Sequence, residues 1–179
     1  MANCNSIIGV AYSCDDNNAG AIKAAWIGDF RDVVAYTLDS QDPVTGGAVT
    51  AMTMSGTSTF EEFVFKKNTS SYNEKWVGDL TADVHLWEQS INIGLRRIEI
   101  AKRNAISVLA EGRRRLVVIT QDNNDNYRVF GLDDGIRLSA MESGTNEARN
   151  AGTFYTITLM GEERWMAYDT DAATVASVI

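Results

Sequence analysis

The second half of the chain, Leu116 to Tyr168, alternates apolar runs with polar turns, and this layout constrains the fold more than any other feature. LVVITQDNNDNYRVFGLDDGIRLSA contains an apolar run, a polar tip, an aromatic run and a Gly turn, and GTFYTITLMGEE follows as a Gly-bounded strand. Short apolar runs separated by Asn, Asp and Gly are typical of antiparallel hairpins. The pattern predicts consecutive hairpins with strands at Leu116–Thr120, Tyr127–Phe130, Ile136–Ala140 and Phe154–Met160, and a polar loop at 142–152.

The first half of the chain predicts further strands. AIKAAWIGDF and DVVAYTLD are typical of two strands joined by a turn, and FEEFVFKK predicts a strand at Phe60–Lys67. NTSSYNEK is predicted to be a polar connection to WVGDLTADVHLW. There the alternation predicts that Ala82, Val84 and Leu86 share a buried face.

One long helix is predicted from about Gly94 to Glu111. Apolar residues recur there at spacings of three and four, which indicates an inward-facing stripe. The residues of this stripe are Leu95, Ile98, Ala101 or Lys102, Ala105 and Leu109. Gly112 is suited to end the helix.

These elements predict a single mainly β domain over residues 1–179. The expected architecture is a β-sandwich or partly closed β-barrel of antiparallel strands, flanked by one α-helix over about 94–111. Residues 1–20 are predicted to be an N-terminal arm. Residues 40–59 are rich in Gly, Ser and Thr and are predicted to form a flexible loop or a long, weakly packed hairpin.

The composition is that of a globular protein, with 45% apolar and 22% charged residues in a chain of 179. No apolar run approaches the length of a membrane-spanning helix. The N-terminus has no basic region ahead of an apolar stretch, so we expect no secretory signal. Without export, Cys4 and Cys14 are expected to be reduced thiols.

The charge is distributed unevenly along the chain. Residues 1–93 carry a net charge of −7 and residues 116–179 carry −6, whereas residues 94–115 carry +5. Three interpretations of this basic stripe remain open: a solvated helix face, a contact between subunits, or a nucleic-acid-binding surface. The residues concerned are Arg96, Arg97, Lys102, Arg103, Arg113, Arg114 and Arg115.

No motif in the chain predicts catalysis, a metal or a cofactor. His85 is the single histidine, so there is no zinc-binding array and a catalytic triad has no usual arrangement. CDDNNAG and QDNNDNY superficially resemble calcium loops, but the first has Trp26 where a Glu is needed and the second has Tyr127 where a Gly is needed. The pairs Glu61–Glu62 and Glu162–Glu163 point to opposite faces of their strands and cannot act together. We expect a non-enzymatic protein without cofactors.

The segment RNAISVLAEGRRRLVVITQDNNDNYRVFGLDDGIRLSAMESGTNEARNAGTFYTITLMGEE resembles tail structural proteins of bacteriophages, especially phages of Bacteroidetes, including crAss-like phages. The resemblance rests on the helix, the LVVI strand, the DNxYxVFG hairpin, the DG turn and the TITLMGEE strand. It covers the second half of the chain well and the first half loosely.

The resemblance implies a tail tube subunit that forms closed rings, commonly of six copies, which stack into a tube. Such a protein is made in the host bacterial cytoplasm and is located in the virion. Its partners would be further copies of itself, other tail proteins and the genomic DNA that passes through the bore during infection. A single-ring connector, collar or terminator is the alternative within the virion. A nucleic-acid-binding module that uses the basic helix is the alternative of another class.

In this interpretation the basic residues contact a neighbouring subunit and acidic residues line the bore, where like charge repels DNA. The expected channel-lining residues are Glu61, Glu62, Asp79, Asp83 and Glu88. Residues 40–59 are the candidate segment for stacking one ring on the next.

Overall fold

The computed structural model of the chain describes residues 19–39, 47–65, 68–79, 81, 84–111, 114–145 and 152–179. Residues 1–18 of the predicted N-terminal arm and residues 40–46 lie outside this part. The described strands and helices are β1 (Ile22–Asp29), β2 (Val33–Leu38), β3 (Ala48–Met54), β4 (Glu61–Glu62), β5 (Ser71–Asp79), β6 (Val84–Arg96), α1 (Ile100–Glu111), β7 (Leu116–Asp122), β8 (Tyr127–Phe130), β9 (Arg137–Thr145), β10 (Thr153–Glu163), β11 (Tyr168–Thr170) and α2 (Ala172–Ala176).

The strands form two sheets. Sheet A has seven strands in the order β2-β3-β11-β8-β7-β1-β4, and sheet B has four in the order β5-β6-β10-β9. Neighbouring strands are antiparallel except β3 and β11, which are parallel. The predicted fold class, mainly β with antiparallel sheets and one main flanking helix, is confirmed. Within the described residues the sheets do not close into a barrel.

The two sheets share one core. Ile27 and Val118 of sheet A pack against Ile91, Ile93 and Ile157 of sheet B, and all are buried. These residues lie on alternate positions of their strands, as expected when one face of each strand meets the opposite sheet. The predicted strand Phe154–Met160 is confirmed as part of β10, in which the alternate residues Tyr155, Ile157 and Leu159 are buried.

Sheet A has a second core on its other face. Val117 and Ile119 of β7 pack there with Val49 of β3 and with Val175 and Val178 at the C-terminal end of the chain. A strand that is buried on both faces needs an unbroken apolar run rather than an alternating one. This burial accounts for the run LVVI in β7, where all of Leu116–Ile119 are buried.

The predicted helix begins too early. Gly94 and Leu95 belong to β6, where Leu95 is buried opposite Tyr155 of β10, and α1 starts only at Ile100. The predicted apolar stripe is wrong at Ile98 and Ala105, which are exposed. Its last member, Leu109, does pack against the core, together with Ile106, which the stripe did not include.

Several predicted boundaries of strands and loops are also corrected. Lys66 and Lys67 of the predicted strand Phe60–Lys67 lie outside the described residues, and in its described part only the two residues of β4 are in strand conformation. The predicted polar connection NTSSYNEK contributes Ser71–Lys75 to β5, and the predicted loop 142–152 contributes 142–145 to β9. The predicted buried face of Ala82, Val84 and Leu86 is also wrong: Ala82 lies outside the described residues, Val84 is exposed, and Leu86 lies on the face of β6 that points away from the core. In β5 and β9 the polar residues lie on a strand with an exposed face, which the hydrophobic pattern does not distinguish from a loop.

Candidate assembly surface

The outward face of sheet B is a broad polar surface. Sheet B buries one face against sheet A, and the residues that alternate with this core point outward from β6 and β10. Those in the middle are small and uncharged: Ser90, Asn92, Thr156 and Thr158. The hydroxyl of Thr158 donates a hydrogen bond to Oδ1 of Asn92 at 2.8 Å across the two central strands. We call this surface the outward face.

Charged residues cross the outward face in rows set by the strand register. Lys75, Glu88 and Glu162 lie side by side on β5, β6 and β10. Arg137 is opposite Met160, and Glu142 is opposite Thr156. The two adjacent carboxylates, Glu88 and Glu162, repel each other, whereas Lys75 is placed to compensate Glu88. The outward face therefore carries both acidic and basic residues, without a continuous row of either sign along a strand.

Both edges of sheet B are long strands with no neighbouring strand among the described residues. β5 and β9 each contain nine residues, and their only strand partners in the described part are β6 and β10. Trp76 on β5 is 45% exposed and Met141 on β9 is 47% exposed. Long edges with exposed apolar side chains invite pairing with another strand.

The structure separates the predicted channel-lining residues. Asp79 and Glu88 lie on the outward face of sheet B, at the end of β5 and in β6. Glu61 and Glu62 lie on β4, an edge strand of sheet A, and are exposed. Asp83 lies outside the described residues. The four of these residues that the structure describes therefore do not form one surface of the monomer.

The predicted basic stripe is also divided. Arg96 ends β6, Lys102 and Arg103 lie on α1, and Arg114 and Arg115 precede β7. Arg113 lies outside the part of the chain that the structure describes.

Several of these cations are paired within the chain. Arg97 and Lys102 both form ion pairs with Glu99, at 3.2 and 3.3 Å. Arg114 pairs with Asp29 at 3.4 Å, and the Arg115 guanidinium lies 4.4 Å from the centre of the Phe30 ring. The side chains of Arg96 and Arg103 are exposed. The positive charge presented to a partner is therefore smaller than the sequence indicates.

A buried carboxylate that the sequence pattern does not predict holds the turn between β8 of sheet A and β9 of sheet B. Glu163, at the end of β10, is 1% exposed and accepts hydrogen bonds from the backbone N–H groups of Asp133, Asp134 and Gly135 at 3.2, 2.9 and 2.9 Å. Its neighbour Glu162 is exposed, as their adjacency on a strand requires. Backbone donors have no sequence signature, so only the unusual burial of an acidic residue identifies this cluster.

The pKa values around this turn are displaced by burial. Burial raises the pKa of Glu163 to about 7, and the nearby Asp133 and Asp134 carboxylates add to this while the backbone N–H donors oppose it. The hydroxyls of Tyr36 and Tyr168 each donate to the Asp133 carboxylate at 3.0 Å. Burial, followed by the charge of Asp133, raises the pKa of Tyr36 to about 12 and raises that of Tyr168 as well. Every oxygen of the two carboxylates accepts at least one hydrogen bond, so this cluster is a structural clamp on the turn.

The described residues contain no group of three or more His, Cys, Asp and Glu side chains that could hold a metal ion. Within the same ranges no helix is long and apolar enough to span a bilayer. Comparison of the chain with protein-family models, with curated proteins and with solved structures found no match.

Proposed function

We propose that this chain is a structural subunit of a bacteriophage tail tube, whose copies join through sheet B into closed rings that stack around a DNA-conducting channel. The main support is the geometry of sheet B, which has two long free edges in the described residues and a polar outward face. The sequence resemblance to phage tail proteins supports the same assignment. The proposed role needs no catalytic site and no cofactor.

The strand count of sheet B suits head-to-tail closure. Its four strands alternate in direction, so the edge strands β5 and β9 run in opposite directions. When β5 of one copy lies beside β9 of the next, the two strands are antiparallel, as are all neighbours within the sheet. Repeating this heterologous contact gives a ring with no free edge.

The size of such a ring is compatible with passage of DNA. With six copies, the number implied by the resemblance, the four strands of each sheet B would make a wall of 24 strands. At a spacing of about 4.8 Å between strands, this wall has a radius of at least about 18 Å. Side chains reach about 5 Å inward, half the distance between packed sheets, and the remaining bore admits a DNA duplex.

The wall of this bore would be the outward face of sheet B, since the other face is buried against sheet A. Its central positions are Ser, Asn and Thr, and its charged residues include both signs, with no continuous row of basic residues. A surface without a continuous basic track gives the phosphate backbone few places to bind tightly. DNA could therefore slide past it.

The proposal is tested by negative-stain electron microscopy and mass measurement of the purified protein over a range of concentrations. We expect rings or tubes of constant diameter with a central passage. Stacked rings favour a tube and single rings favour a connector. A chain that stays monomeric at high concentration would contradict the proposal.

A matched pair of variants locates the contact. Val77 on β5 and Val34 on β2 are both exposed valines on edge strands, of sheets B and A respectively. Lysine on an edge strand opposes pairing with another strand. We expect Val77→Lys to abolish rings and Val34→Lys to leave them intact.

A further inference from the structure

We infer that neighbouring copies join β5 to β9 in one specific register, in which Lys75 lies opposite Glu142, Val77 opposite Ala140 and Asp79 opposite Arg137. This inference rests on the proposed ring and identifies the residues that would form its contact. The partner is a second copy of this chain.

The outward side chains of the two edges are fixed by their pairing within sheet B. On β5 they are the odd positions, because Ser71, Asn73 and Lys75 are opposite Asn92, Ser90 and Glu88 of β6. On β9 they include Glu142 and Ala140, opposite Thr156 and Thr158 of β10.

An irregularity in β9 places Arg137 on the same face. Ala140 is opposite Thr158 and Leu138 is opposite Leu159, so Ser139 is an extra residue in this strand. Arg137 then falls opposite Met160, on the outward face. Because a β-bulge adds one residue to a strand, the side chains beyond it point to the opposite face from the one that strict alternation would give. Here it brings a basic residue into line with Glu142 and Ala140.

A continuous sheet requires outward residues to meet outward residues, which allows only registers that differ by two residues. In the proposed register both outward charge pairs, Lys75 with Glu142 and Asp79 with Arg137, have opposite signs. Opposite charges directly across two strands are stabilising and like charges are destabilising.

The neighbouring registers are less favourable. A shift of two residues one way places Lys75 opposite Ala140, and a shift the other way places it opposite Gly144, so neither forms a charge pair. A shift of four residues places Lys75 opposite Arg137 in one direction and Asp79 opposite Glu142 in the other, which joins like charges. The charges therefore select one register among five.

The core-facing side of the two edges supports the same register. There Trp76 of one copy falls opposite Met141 of the next, and these are the large exposed apolar residues of the two edges on that side. The Trp76 ring lies over Gly78, where a side chain would collide with it. A thioether beside an indole ring is a favourable contact. Pairing would remove both apolar side chains from water.

Disulfide trapping tests the register. In a background with Cys4→Ser and Cys14→Ser, the double variant Val77→Cys with Ala140→Cys is oxidised after assembly. Within one chain these positions lie on opposite edges of sheet B, and they are six residues out of line, since Val77 is opposite Leu86 and Ala140 lies in the row of Asn92. They are therefore about 24 Å apart, and a bridge between them has to join two copies. We expect a ladder of covalent multimers up to the full ring.

The control variant is Asn73→Cys with Ala140→Cys, which also leaves every charge in place. In the proposed register its cysteines are four residues out of line, about 13 Å apart, and we expect no ladder. Rings in which the control forms the ladder, or in which neither variant does, would overturn the register while leaving the proposed function standing. Absence of rings from both variants and from the parent would overturn both.

A charge exchange provides an independent measurement. Lys75→Glu and Glu142→Lys are each expected to raise the concentration at which rings form several-fold, because each places like charges together. The double variant is expected to return this concentration to within about two-fold of the parent, as coupled residues do. Purely additive effects would contradict a contact between the two side chains.

Discussion

Arg128 on β8 donates a hydrogen bond from its guanidinium to the Glu74 carboxylate on β5 at 3.1 Å, which ties an edge of sheet B to the middle of sheet A. The Glu74 side chain is almost completely buried and also accepts a hydrogen bond from the backbone N–H of Ala167 at 2.6 Å. A second carboxylate, Asp169, lies 3.2 Å from the same guanidinium. This network holds the edge strand that we propose to meet the next copy.

Replacing Glu74 tests whether the network stabilises the fold. Glu74→Gln removes the charge that faces Arg128, although Asp169 still compensates part of it. We expect the free energy of unfolding to fall by about 2 kcal/mol. The control is Glu62→Gln, which changes an exposed carboxylate on β4. We expect it to change the free energy of unfolding by less than about 0.5 kcal/mol. Both are measured by urea denaturation, and equal effects would show that the buried pair contributes nothing.

The buried carboxylate of Glu163 predicts a pH dependence of stability. Its pKa in the folded chain, about 7, lies above the ordinary value of 4.5, so the folded state holds the proton more tightly than the unfolded state. The contribution of this group is therefore complete below pH 4.5 and is lost as pH rises towards 7. We expect Glu163→Gln, which cannot ionise, to have a flatter stability profile over this range. Parallel profiles for the parent and the variant would contradict the raised pKa.

Replacing two glycines of the same backbone conformation with alanine distinguishes the cost of backbone strain from the cost of a steric clash. Gly131 and Gly56 both have positive φ angles, of 71° and 59°. A methyl group on Gly131 would lie 2.6 Å from the carbonyl oxygen of Leu116, whereas one on Gly56 would meet nothing within 4 Å. We expect Gly131→Ala to lower the free energy of unfolding by about 3 kcal/mol and Gly56→Ala by about 1 kcal/mol. Similar losses of unfolding free energy in the two variants would mean that the backbone near Gly131 shifts to accommodate the methyl group.

The proposed lumen predicts where added positive charge captures DNA. Glu162→Lys changes a residue on the outward face of sheet B, and Glu61→Lys makes the same charge change on sheet A. In assembled rings we expect the first variant to bind a labelled duplex with an affinity that falls steeply between about 50 and 200 mM salt. The second variant and the parent should bind much more weakly. Fluorescence anisotropy distinguishes these outcomes, and equal binding by both variants would place the lumen elsewhere.

The sequence predicts those parts of the fold whose pattern is local. The β7–β8 hairpin follows from LVVI, the Asn/Asp tip and YRVF, and β10 follows from its alternation. The start of α1 was predicted wrongly because Leu95 satisfies two periodicities at once. It stands three residues before Ile98, as in a helix, and two after Ile93, as in the strand to which it belongs.

The features that support the assembly surface depend on non-local pairing. The polar residues at 71–75 of β5 and 142–145 of β9 are predicted to be loops, and only the pairing with β6 and β10 identifies them as parts of the edge strands of one sheet. The outward position of Arg137 depends on the bulge at Ser139, which no residue pattern indicates. The clamp on Glu163 consists of backbone donors, which every sequence possesses.

A cryo-electron microscopy reconstruction of the assembled protein, at a resolution that separates strands, tests the central claim most directly. We predict one unbroken antiparallel sheet around a central passage, with Ser71–Asp79 of each copy beside Arg137–Thr145 of the next and the Asn92–Thr158 face towards the bore. Copies that meet through sheet A or α1 while β5 and β9 face solvent, or an assembly without a passage, would contradict it.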